Sequence, residues 1–202
     1  MKINRQVATL ATTVITFGSL AGNVGAATLI TFNDGTASGS DISNFYSTSG
    51  VIFTNGEWSD LSSGFTPHPD SDGLRLSGDG ANAQPKSGSP ISLTFTTSMA
   101  VVSVIANNVN ANGARIDIYD SEVGGNLINS HQVVGPSGAL DSNFVLTASG
   151  SGIRRVELYQ PFNVESEGVL FDNLEFDSVP EPSSSLFLGL AGLGLSFRRS
   201  RL

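Results

Sequence analysis

The chain has no cysteine among its 202 residues, so neither a disulfide framework nor a thiol nucleophile or thiolate metal site is open to it. An exported domain built without disulfides must rely on packing, hydrogen bonding or a metal ion. Histidine is nearly absent: His68 and His131 are too few and too far apart to read as a metal pair, and each reads as a surface residue. Tryptophan occurs once, at Trp58. Basic residues are scarce and unevenly spread. Lys2 and Arg5 lie at one end and Arg198, Arg199 and Arg201 at the other, leaving five basic residues against seventeen acidic ones between residues 27 and 179, a formal charge of −12. Such a surface repels nucleic acid and anionic lipid, so no nucleic-acid partner is expected. It attracts divalent cations and tolerates neutral sugars, whereas an acidic polysaccharide would need a cation as intermediary. A sustained 3.6-residue apolar stripe is also missing from the middle of the chain, which excludes a helical bundle.

What the middle does contain is a series of short apolar and β-branched runs: Leu29 to Phe32, Val51 to Thr54, Ile91 to Thr96, Val101 to Ala106, Ile116 to Tyr119, Phe144 to Thr147, Ile153 to Tyr159 and Val169 to Phe176. Turn-forming clusters such as Asn33-Asp34-Gly35, Gly78-Asp79-Gly80 and Gly124-Gly125-Asn126 separate them. In Ile116-Asp117-Ile118-Tyr119 and Val156-Glu157-Leu158-Tyr159 apolar and polar positions alternate, giving each strand one buried and one wet face. The pattern predicts an all-β domain over residues 27–178, an antiparallel β-sandwich of jelly-roll type. The stretch from Asn55 to Pro90, with Pro67, Pro69, Pro85 and Pro90, reads as irregular, either a binding loop or merely a mobile one.

The two ends have their own logic. Lys2 and Arg5 precede an apolar segment from Val7 to Leu20, and small residues follow through Ala27, the order of a secretory signal peptide over residues 1–26. Residues 179–202 begin with Val179-Pro180-Glu181-Pro182-Ser183-Ser184, continue as an apolar run from Leu186 to Phe197, and end on the arginines. Two prolines around a carboxylate hold an extended, accessible segment. This tail resembles the PEP-CTERM sorting signal of exopolysaccharide-producing Gram-negative bacteria. The resemblance implies recognition at Pro180, Glu181 and Pro182 by an exosortase-type membrane transpeptidase, with membrane contact through the C-terminal segment before processing. Twelve helical residues rise about 18 Å against a hydrocarbon core of about 30 Å, which suits a transient stop better than a permanent anchor.

The middle is similar to galactose-binding-like jelly rolls. Ile30-Thr31-Phe32-Asn33-Asp34-Gly35 resembles their first strand region, and Val169-Leu170-Phe171-Asp172-Asn173-Leu174-Glu175-Phe176 their last. That resemblance implies a structural calcium ion at Asp34 and Asp172, clamping both ends of the domain; the alternative is an Asn-Asp-Gly turn at Asp34 and ordinary hydrogen bonding by Asp172. Asp70-Ser71-Asp72-Gly73 starts like a calcium loop but has Arg75 at the sixth position and Ala81 at the twelfth, and reads as a solvated turn.

For carbohydrate binding the candidates are Glu57, Trp58 and Asp60, an indole flanked by carboxylates, with Phe65 and His68 nearby; the competing role of Trp58 is a plug at the end of the sandwich. Tyr159, Gln160 and Phe162 near Arg154 form a second candidate surface or part of the core. Glu57, Asp60, Glu157, Glu165 and Glu167 could supply a hydrolytic pair, which only spatial separation decides. Gly135-Pro136-Ser137-Gly138-Ala139 misses the nucleophile-elbow pattern, and Gly78-Asp79-Gly80-Ala81-Asn82-Ala83 lacks the βαβ frame of a dinucleotide site. The sequence as a whole predicts a non-catalytic exported protein at the cell surface or in the extracellular matrix. It would contribute to exopolysaccharide or biofilm structure through calcium-stabilised carbohydrate binding. The alternatives are a small secreted glycoside hydrolase or polysaccharide lyase, and a purely structural matrix component.

Overall fold

The computed structural model describes residues 27–34, 37–60, 66–71, 75–78, 84–138, 142–166 and 168–179. They belong to one compact unit, Gly25–Pro180. The expected signal segment and the sorting residues Pro180, Glu181 and Pro182 lie outside the described residues, as do Phe65, Asp72 and Glu167.

Nine strands lie among the described residues: β1 (Thr28–Ile30), β2 (Val51–Thr54), β3 (Gly56–Ser59), β4 (Arg75–Gly78), β5 (Ile91–Asn107), β6 (Ala114–Tyr119), β7 (Leu127–Val133), β8 (Phe144–Tyr159) and β9 (Leu170–Ser178). The named strands pair antiparallel in the order β3-β4-β9-β5-β8-β6-β7, with β1 added to β9 and β2 to β5. The fold is the antiparallel all-β architecture that the sequence predicts. Among the described residues the only helical element is a 3-10 turn, Ser47–Ser49.

Two long strands turn this sheet into two layers. Ile91 to Thr94 of β5 pair with Arg155 to Leu158 of β8, the register slips between Thr94 and Met99 and again by Val101, and Val101 to Ala106 then pair with Phe144 to Ser149. β2 attaches to the first half of β5, and β6 to the last half of β8. β9 follows the second half of β5. Inward-facing residues of both layers, among them Phe53, Leu93, Ile116, Ile118, Val156 and Leu158 from one and Val102, Val104, Leu146, Leu174 and Phe176 from the other, form a single buried cluster. Each such side chain contributes roughly 1.5–3 kcal/mol on burial.

The sequence reading differs from this architecture at β5, at β8, at β7, which it does not name, and between Asn55 and Pro90. The polar step Thr96-Thr97-Ser98 divides β5 into two apparent strands, and Gly150-Ser151-Gly152 does the same to β8, yet each pair of runs is one strand bent over its middle. The stretch from Asn55 to Pro90 also holds β3 and β4, which pair Gly56 with Gly78 and Trp58 with Leu76.

Candidate ligand-binding face

Trp58 sits on β3, where the strand alternation turns it inward. It is 2% exposed, edge-on to Phe45 at 4.9 Å and to Tyr46 at 6.5 Å. Its N–H lies near the Tyr46 hydroxyl without a hydrogen bond of normal geometry. A ring this deeply buried has no free face on which a sugar could stack; Trp58 plugs the core. The neighbouring Glu57 faces the other way and lines a surface cavity of about 340 Å³ together with Asp41, Ser43, Thr54 and Asn55. Asp60 is exposed and does not line that cavity; its backbone N–H donates to Ser38 Oγ at 3.2 Å. The three candidates therefore point to three different places.

Asp34 and Asp172 come from opposite ends of the domain, and both act electrostatically on Tyr46. The Tyr46 hydroxyl donates to Asp34 Oδ1, and burial, then Asp34, then Asp172 push its pKa upward. Asp172 is fully buried and accepts from Ser71 Oγ at 2.6 Å and from the Asn173 N–H at 2.7 Å. Ser71 Oγ in turn accepts from Arg75 Nε at 2.9 Å and Asn107 Nδ2 at 3.1 Å. Calcium takes six to eight oxygens. Among the described residues no three His, Asp or Glu side chains gather where they could hold an ion. Asp34 is thus held by Tyr46, and Asp172 by Ser71 and Asn173.

A different constellation stands on the outer face of β6 and β8. Ile116, Ile118, Val156 and Leu158 point into the core, so the alternate residues must point out: Arg115, Asp117 and Tyr119 on β6, and Arg155, Glu157 and Tyr159 on β8. The register sets Arg115 opposite Tyr159, Asp117 opposite Glu157 and Tyr119 opposite Arg155. Tyr159 donates its hydroxyl to Asp117 Oδ2 at 2.7 Å, and Tyr119 donates to Glu157 Oε2 at 3.0 Å. Arg115 Nε donates to Asp117 Oδ1 at 2.8 Å, and Arg155 Nε lies 3.3 Å from Glu157 Oε1. The Arg155 guanidinium lies over the Tyr119 ring, 4.2 Å from its centroid, and that of Arg115 is 6.0 Å from the Tyr159 centroid. Burial, then the hydrogen bond to Glu157, pushes the Tyr119 pKa up to about 12; burial, then Asp117, raises that of Tyr159. The hydrogen bond to Asp117 raises the pKa of Arg115.

The centre of this face is its lowest part. Asp117 and Tyr159 are buried, Arg115, Tyr119, Arg155 and Glu157 are half-buried, Ser92 and Thr94 of β5 beside them are half-buried, and Ile52 and Thr54 of β2 and Ser130 and Gln132 of β7 at the edges are exposed. This polar face along β6 and β8, the trough, is floored by paired charges and phenols and rimmed largely by hydroxyl and amide groups. The sequence reading placed Asp117, Tyr119 and Glu157 on wet faces and named Tyr159, but did not join them. The signal that joins them is a five-residue pattern, Arg, apolar, acid, apolar, Tyr, present at 115–119 and again at 155–159.

Comparison with known proteins adds two findings. Residues 178–201 match the family model of the PEP-CTERM protein-sorting motif, so the chain carries that motif at its C-terminal end. No curated protein matches the chain. Among solved structures, the chain is similar to a family 6 carbohydrate-binding module (14% identity over 64% of this chain and 93% of the other, TM-score 0.36). It is also similar to a family 29 carbohydrate-binding module from Piromyces equi (12% identity over 64% and 91%, TM-score 0.32). A third is the K2 cleaved adhesin domain of Lys-gingipain (15% identity over 80% and 94%, TM-score 0.34). Overlaps this loose say nothing about what this chain binds.

Proposed function

We propose that this chain is an exported, non-catalytic carbohydrate-binding protein. Its motif at residues 178–201 would be recognised by an exosortase-type membrane transpeptidase, delivering the β-sandwich to the cell surface or extracellular matrix to contribute to exopolysaccharide or biofilm structure. The observation that carries the binding half of the reading is the trough on β6 and β8. It combines guanidinium, carboxylate and phenol groups in fixed geometry, the chemistry that hydrogen-bonds sugar hydroxyls, and rigid groups lose little freedom on binding. Two guanidiniums and two carboxylates cancel in charge, while the surrounding domain is strongly acidic; together these favour a neutral polysaccharide over an anionic one.

One observation favours a hydrolase: Asp41 and Glu57 line one cavity. Ser43 donates to Asp41 Oδ1 through its hydroxyl at 2.6 Å and its N–H at 2.9 Å, holding the Asp41 pKa below its usual range, so of this pair Asp41 suits the base or nucleophile and only Glu57 is left for the acid. Affinity electrophoresis in gels containing soluble neutral or anionic polysaccharides tests the proposal. A neutral polymer should retard the wild-type protein, Tyr119→Ala should weaken retardation at least tenfold with the fold intact by circular dichroism, and polymer length should not change on incubation. Equal retardation of wild type and variant, or shortening of the polymer, would overturn it.

A further inference from the structure

Two antiparallel strands in register are related by a local two-fold axis normal to the sheet. Here the axis passes between the paired residues Asp117 and Glu157, and the side chains obey it as well as the backbone. Arg115, Asp117 and Tyr119 superimpose in kind on Arg155, Glu157 and Tyr159. Each tyrosine donates to the acid of the other strand. Each arginine pairs with the acid of its own strand and lies over the tyrosine opposite. The departures are one methylene between Asp and Glu, a closer stacking of Arg155 than of Arg115 on the opposite ring (4.2 against 6.0 Å), a longer Nε-to-carboxylate distance at Arg155 than at Arg115 (3.3 against 2.8 Å), deeper burial of Asp117 and Tyr159 than of Glu157 and Tyr119, and the outer contacts of the arginines, Arg115 Nη1 to Gln132 Oε1 at 3.2 Å and Arg155 Nη1 to the Glu122 carbonyl at 3.4 Å.

A polysaccharide has a direction, and an asymmetric site reads it, because a reversed chain leaves polar groups unpaired. A site with two-fold symmetry presents the same groups to either approach. Resting on the reading of the trough as a glycan site, we propose that it binds a neutral polysaccharide strand lying along β6 and β8 in either chain direction, with populations within about tenfold of each other. A matrix protein with such a site need not match the polarity of the strand it meets.

The probe is a neutral oligosaccharide cut from the polymer bound best in affinity gels, longer than the roughly 20 Å span of six-residue β6, and carrying a nitroxide at its reducing end. Nuclear magnetic resonance of the labelled protein then reports where that end lies. Broadening of amides at both ends of the trough, around Ser121 to Gly124 and around Val133 to Gly135, is the expected result. Tyr159→Phe, which keeps the ring and removes one donor of the symmetric pair, should shift the broadening toward one end. Broadening at one end in the wild type overturns the two-directional inference and leaves the glycan site standing. Absence of binding, or binding untouched by the double variant Tyr119→Ala and Tyr159→Ala, overturns both.

Discussion

A phenol that donates to a carboxylate in a partly buried setting has two reasons to keep its proton: ionisation would bring two negative charges together, and burial penalises the new charge. The chain has three tyrosines, and all three are in this position: Tyr46 on Asp34, Tyr119 on Glu157 and Tyr159 on Asp117. Each pKa lies above the ordinary value of 10.0, that of Tyr119 at about 12. Because the folded-state values are raised, the stability linked to them is complete below pH 10 and drains away as pH climbs through about 12. A spectrophotometric titration at 295 nm should therefore show no phenolate near pH 10 in the folded protein, with all three tyrosines ionising as the fold is lost. One third of the signal titrating with a midpoint of 10 while circular dichroism stays constant would contradict the hydrogen-bond assignments. Trp58 makes the complementary point. Its place between Glu57 and Ser59 looks polar in sequence, but the strand period turns it 180° from both neighbours and into the core.

The two bent strands β5 and β8 position the trough, since the last half of β8 carries Arg155, Glu157 and Tyr159 into register with β6. The bend is legible in the sequence only as a gap: Gly150-Ser151-Gly152 looks like a turn between strands, whereas Gly152 takes a φ of +78° inside one strand. Gly150 is needed for another reason. A Cβ there would lie 2.4 Å from Ile128 Cγ2, so β7 packs against this point. Gly150→Ala should cost about 1–3 kcal/mol through overpacking, several degrees in Tm for a domain of this size, and adding Ile128→Ala should recover part of it. Calorimetry of the single and double variants decides between close packing and mere backbone freedom. β7 itself escapes sequence reading because Leu-Ile-Asn-Ser-His-Gln-Val offers no buried alternate face; its residues are exposed or half-buried throughout. The alternation in β6 and β8 was legible. Which acid meets which tyrosine depends on a register that neither strand encodes alone.

At the scale of the molecule, the proposed tasks of delivery and binding fall on different segments. The core, the Tyr46 contact with Asp34 and the trough all lie before residue 178, where the sorting motif of residues 178–201 begins. The charge follows the same division. The domain is strongly acidic and the three terminal arginines are the only charged residues after Glu181, so the basic end suits the anionic face of a membrane, which the domain's own charge would repel. Replacing Pro180 and Pro182 together by Ala removes both prolines of the motif, whose rings restrict the backbone, and changes none of the core residues. The variant should therefore melt at the wild-type temperature and bind the same polysaccharide, yet accumulate unprocessed in a host that has the sorting enzyme. Intact-mass spectrometry of both proteins from that host measures the difference. Identical processed masses would separate the prolines from recognition, and a lowered melting temperature would show that the tail supports the domain after all.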